Sequence, residues 1–161
     1  MYSNIQKEVK MTFQQKNITV SLVNFSLILG FYLIRVTHLI RTENFNLDKM
    51  IWVWIIIAIV AIVVTIIGTI LTHIVSTIIE VIQTGNEEPK IEDIQDERDE
   101  LINLKGTNVT YIVYSLGVFL AMLSFAFGQP GLVMFTLLIL CGILSQIAGD
   151  IYRLGLYRRG F

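Results

Sequence analysis

The sequence predicts an all-α integral membrane protein. It is expected to be a four-helix bundle of two transmembrane hairpins, with a cytoplasmic amphipathic helix between spans two and three. Three observations predict this. Met50 to Ile79 runs thirty residues without an Asp, Glu, Lys or Arg, where a membrane span needs only about 20. Three further apolar runs of span length flank it. The chain of 161 residues is 54% hydrophobic and only 16% charged, with mean hydropathy +0.67, whereas a soluble domain carries about a quarter charged residues. A single membrane domain covers 1–161, with spans at about 18–40, 50–79, 109–127 and 132–152 and a cytoplasmic acidic helix at about 90–105.

Residues 1–16 are polar and basic, with Lys7, Lys10 and Lys16, while Ile5, Val9 and Phe13 recur at helical spacing. They read either as a short helix lying on an anionic leaflet or as a frayed tail. No small-x-small cleavage site follows the first apolar run, so the first span is expected to stay attached. Within that run, Asn17, Ser21, Asn24, Arg35 and His38 fall on one helical face, and lipid cannot satisfy such a stripe. It is therefore expected to face other helices. Arg35 sits close to the far interface, where it can snorkel or pair with Glu43 or Asp48. A ligand-binding role is the alternative, since an intramembrane charge invites a functional reading.

Lys49, Trp52 and Trp54 mark the next interface. Thirty helical residues reach about 45 Å, more than the hydrocarbon core, so the last turns of span two are expected to project beyond it. Thr65, Gly68, Thr69, Thr72 and Ser76 supply small residues at spacings of three and four, which lets helices approach closely. His73, among them, reads as a packing residue rather than a proton relay.

Thr84 to Thr107 is the one sizeable polar stretch. Eight of the thirteen acids lie between Glu87 and Glu100. Pro89 suits a first helical turn. From Ile91 to Lys105, apolar residues, Arg98 and Lys105 share one face, and the acids occupy the other. Gly106 and Thr107 read as a helix stop and a new cap. In the third span, Thr110, Tyr114, Gly117, Ala121, Ser124 and Gly128 form a seam of small residues broken by one tyrosine. Gly128-Gln129-Pro130-Gly131 is a tight turn. Gly142, Ser145 and Gly149 share a face of the fourth span, and the turn makes spans three and four antiparallel neighbours.

Nine of the twelve basic residues lie in the N-tail, the long loop and the C-tail. The positive-inside rule then places both termini and the acidic loop in the cytoplasm.

Chemistry-bearing patterns are sparse. The single cysteine, Cys141, allows no internal disulfide and no CxxC metal pair. Asp93, Glu97 and Glu100 lie along a straight helix face, which lacks the curved loop a hard-cation site needs. No nucleophile–base or paired-acid arrangement falls mid-membrane, so an enzyme is not expected, nor a cofactor, a metal or nucleic-acid binding. The intramembrane polar residues are Asn24, Arg35 and His73. Glu80 and Asp150 sit at the cytoplasmic edge, where Arg153, Arg98 or Lys105 offers a pairing partner.

The strongest local signal is Asp96-Glu97-Arg98-Asp99, followed by Ile102 and Lys105. It resembles a motif in small, uncharacterised four-span bacterial membrane proteins, in the loop before their third span. The resemblance covers the hairpin architecture, this loop and the basic C-terminus. Members often look like accessories encoded near small helix-turn-helix regulators. That implies that Asp96, Glu97, Arg98, Asp99 and Lys105 form the surface a soluble cytoplasmic protein reads. The expectation is a membrane-anchored interaction or regulatory protein. The alternative is a transporter subunit for an ion or small molecule, working as a homo-oligomer through its small-residue seams.

Overall fold

A computed structural model describes residues 13–84 and 97–159. Four helices make up this part: α1 Phe13–Arg41, α2 Leu47–Thr84, α3 Glu97–Ala126 and α4 Gly131–Arg158. All four are long and apolar enough to cross a membrane. The architecture is thus that of an all-helical, multi-pass membrane protein. Its outside is apolar as well: Leu27, Ile34, Ile62 and Leu120 are each at least 60% exposed, as helices solvated by lipid require.

Helix α1 is wedged between α2 and α4, and α3 packs along α4. The helices alternate in direction. Ser21, early in α1, meets Asp150, late in α4, whereas Tyr32, further along α1, meets Thr136, early in α4. The middle of the bundle is filled by Ile28, Tyr32, Val53, Ile57 and Ile143, all nearly inaccessible. The Tyr32 hydroxyl donates to the Thr136 carbonyl at 2.7 Å, so its one polar atom is satisfied in the core. Beside it, Trp54 of α2 stacks obliquely on Phe135 of α4, with ring centroids 6.1 Å apart.

Small residues set the approach of α3 to α4. A Cβ on Gly117 would lie 2.5 Å from Cys141 Cβ, and one on Gly149 would overlap Thr110 Oγ1. A Cβ on Gly142 would meet the Tyr114 ring at an ordinary 3.8 Å. These pairs step down one helix and up the other, as antiparallel partners must. Between α1 and α2 the same device appears once, where Gly68 lies beneath Asn24 and Val20.

Two expectations are corrected. The acidic helix was expected to end at Lys105, with Gly106-Thr107 separating it from the third span. Instead α3 is continuous from Glu97 to Ala126, and residues 97–105 are its first turns. Gly106 is buried under the Arg153 side chain, so its missing Cβ serves a close approach, not a helix stop. The part of the expected helix before Glu97, Asp96 included, lies outside the described residues. The polar stripe of α1 is also only half inward. Asn17, Ser21 and Asn24 are partly buried, but Arg35 and His38 are exposed. The buried line continues through Ile28, Tyr32, Val36 and Leu39, which turns positions 35 and 38 to its flank.

Both short connections close with the same backbone device. After α3, Gln129 N–H donates to the Ser124 carbonyl and Gly128 N–H to the Phe125 carbonyl, with Gly128 at φ 87°. After α1, Asn44 N–H donates to Leu39 and Glu43 N–H to Ile40, with Glu43 at φ 55°. This is the Schellman pattern, and at Glu43 it holds a non-glycine residue in the left-handed region. The Asn46 side chain then accepts the Lys49 N–H at 3.1 Å and caps α2. Glu43→Gly is expected to stabilise the protein by about 1 kcal/mol, read as a raised midpoint of unfolding in detergent.

Candidate functional site

At the end of the bundle where α1 and α3 begin and α4 finishes, polar side chains converge on a cleft of about 310 Å³. Its centre is an ion pair. Arg153 Nη1 donates to Asp150 Oδ1 at 2.7 Å. Asp150 is 2% exposed and Arg153 9%.

Each neighbouring helix contributes a bond to this pair. Ser21 of α1 donates its hydroxyl to Asp150 Oδ2 at 2.6 Å. Gln146, one turn back on α4, donates to Oδ1 at 3.3 Å. Arg153 Nη2 donates to Thr107 Oγ1 of α3 at 2.9 Å. The guanidinium stem fills the notch left by Gly106. A buried ion pair survives only where remaining lone pairs and protons find partners, and these bonds supply most of them. The Arg153 Nε–H has no acceptor among the described residues.

A second layer lies just beyond. Tyr157, one turn after Arg153, donates its hydroxyl to Asp99 Oδ1 at 2.7 Å. The Arg98 guanidinium lies 5.9 Å from the centroid of the same ring, within cation–π reach. Ile102, fully buried, packs with Leu156 and Tyr157. The first turns of α3 are therefore clamped to the end of α4. Gln14, Asn17, Ile18, Thr65 and Asn103 complete the cleft wall.

The structure distributes the sequence-derived candidates unevenly. It brings together Asp150, Arg153 and Asp99. Glu97 and Lys105 are exposed on α3. Arg35 lies over the Phe31 ring, 5.9 Å from its centroid; among the described residues neither Glu43 nor Asp48 is in ion-pair contact with it. Asn24 sits against Gly68. His73 and Glu80 lie on α2, but their side chains are outside the described residues. Sequence reasoning missed Gln146, Asn103 and Tyr157, and read Thr107 as a helix cap where it accepts from Arg153. For Gln146 a signal existed: a glutamine four residues before an aspartate on an otherwise apolar helix shares its face.

Comparison with known protein families, characterised proteins and solved structures finds no match to this chain.

Proposed function

We propose that this is a membrane-anchored interaction or regulatory protein of a bacterial plasma membrane. The cleft-bearing end of the bundle faces the cytoplasm, because the basic residues concentrate there. The acidic start of α3 is the surface offered to a soluble partner.

One observation carries this reading. The first turns of α3 are held by Tyr157 and Ile102 on their inner side, while Glu97 and Glu100 remain exposed on the outer side. An acidic surface already fixed in position loses little freedom on binding. Complementary charge then favours a partner with a basic patch. The resemblance of Asp96 to Asp99 to the loop motif of small four-span membrane proteins points the same way.

The experiment is site-specific photo-crosslinking of the full chain in cells. Probes at positions 97 and 100 are expected to give one discrete adduct with a soluble protein, and a probe at Leu116 is expected to give none. Charge reversal at the unprobed acid of the pair is expected to lower the adduct yield about tenfold, corresponding to ~1.4 kcal/mol. An unchanged yield after reversal overturns the reading.

The cleft favours a second reading, a transporter subunit, because a buried carboxylate lies in it. The packing weighs against that reading. Beyond Ser21 and Thr65, the described interior passes into Ile28, Tyr32, Ile57 and Ile143, and no carboxylate or basic side chain continues the cleft along the bundle axis among the described residues.

A further inference from the structure

The geometry points to the cleft among α1, α3 and α4 as a binding site for a small organic ammonium group. The inference goes beyond the partner surface and does not depend on it, because it concerns the inward side of the same helix end.

Size comes first. A volume of about 310 Å³ lies at the small end of ligand pockets, which run from about 300 to 1,000 Å³. That suits a headgroup-sized molecule and not a large substrate.

Charge comes second. Asp99, Asp150 and Arg153 are the charged residues lining the cleft, which leaves it one negative charge in excess. Most of the strong donors are committed, the Arg153 Nε–H over Gly106 excepted. Arg153 gives Nη1 to Asp150 and Nη2 to Thr107. Ser21 gives its hydroxyl to Asp150, and Tyr157 gives its own to Asp99. Asp99 accepts only this one bond among the described residues, though an ionised carboxylate has about four lone-pair sites. The amides of Asn17 and Asn103 line the same cleft. The open capacity is thus for a positively charged donor.

The competing ligand classes fit poorly. An anion would meet two carboxylates and an arginine that is already neutralised. A hard divalent cation takes six or more oxygens, or keeps its waters, and here Asp99 is the one carboxylate with more than a single open site. Ile18 and the Tyr157 ring provide apolar wall for a short carbon segment. The shared chemistry is therefore a primary ammonium on two or three carbons. It can arrive as a soluble amine or as the headgroup of an ethanolamine lipid.

The test uses the full chain in nanodiscs of phosphatidylcholine alone, with ethanolamine as the soluble probe. Ethylene glycol is the neutral analogue and inorganic phosphate the anion. Ethanolamine is expected to raise the melting temperature saturably, as a ligand of the native state does, and the other two are not. Asp99→Asn keeps an acceptor for Tyr157 and removes the charge. Its ligand-free melting is expected to match the parent, while its ethanolamine midpoint rises at least about tenfold. If Asp99→Asn fails to fold, Asn103→Leu, exposed on α3, replaces it with the same expectation for the midpoint.

A second arm adds phosphatidylethanolamine to the discs. Should the lipid be the ligand, native mass spectrometry finds it retained by the parent and lost from the variant, and soluble ethanolamine no longer shifts melting. Should a soluble amine be the ligand, the ethanolamine shift is the same in both discs. Either pattern supports the site. The inference is overturned by no saturable amine effect together with no retained lipid, by an equal effect in the variant, or by stabilisation with phosphate instead. Failure of the crosslinking experiment would leave this result unaffected.

Discussion

Gly149→Ala is expected to destabilise the protein by about 3 kcal/mol, the upper end of what overpacking a well-filled contact costs. A Cβ at this position overlaps Thr110 Oγ1 and lies 3.1 Å from the Gly106 carbonyl oxygen. The first obstacle is a side chain and the second is backbone, so rotating Thr110 alone cannot make room. The helices must separate, and the contacts at Gly142 and Gly117 loosen with them. Gly155 and Gly30 are the controls. Both are helical, and neither would bring a new Cβ within 4 Å of anything. Alanine there is expected to be neutral or stabilising by up to ~1 kcal/mol, because it removes only the backbone freedom of glycine. Adding Thr110→Gly to Gly149→Ala removes the Oγ1 overlap and is expected to restore part of the loss. Unfolding in a denaturing-detergent titration ranks these variants. Equal costs at positions 149 and 155 would mean that α3 and α4 do not meet through this seam.

That seam was legible in the sequence. Thr110, Tyr114 and Gly117 on one run, and Gly142 and Gly149 on the next, repeat at helical spacing, and a four-residue turn leaves them no other neighbour so near. Gly106 was not legible, because a glycine at the edge of a polar segment has the same local sequence whether it ends a helix or admits a neighbour. Only Arg153, far along the chain, separates the two cases. The α1 stripe shows a similar limit. Asn17, Ser21 and Asn24 read correctly as inward, since lipid offers them nothing. Arg35 lies on the same nominal face but close to an end, where a long side chain reaches water or an aromatic ring without help from another helix.

The candidate site was partly legible for the same reason. Asp150 and Arg153 are three residues apart on one helix, which is the spacing of a local ion pair. Their burial was hidden, because it depends on Ser21 and Thr107 arriving from two other helices. Asp99 belongs to the acidic run and reads as outward with the rest. What turns it inward is the hydroxyl of Tyr157, in the last turns of α4, beyond the 132–152 span that the sequence periodicity marks.

The Asp150–Arg153 pair makes the other large prediction. Arg153→Met is expected to cost about 3–5 kcal/mol, the range for removing one partner of a buried pair. The thioether fills much of the space over Gly106, so the penalty comes mainly from the Asp150 carboxylate, left with Ser21 and Gln146 alone. Neutralising both partners removes that penalty. The double variant Asp150→Asn with Arg153→Met keeps an acceptor for Ser21 and strands no charge. It is expected to recover about 2 kcal/mol relative to Arg153→Met, within the range of coupling between residues in contact. Salt separates this account from a surface interaction. Exposed charges are screened strongly at about 1 M ionic strength and buried ones much less, so the cost of Arg153→Met is expected to stay nearly constant between low and high salt. A double variant as damaged as the single one, or a cost that vanishes with salt, would place the pair in water.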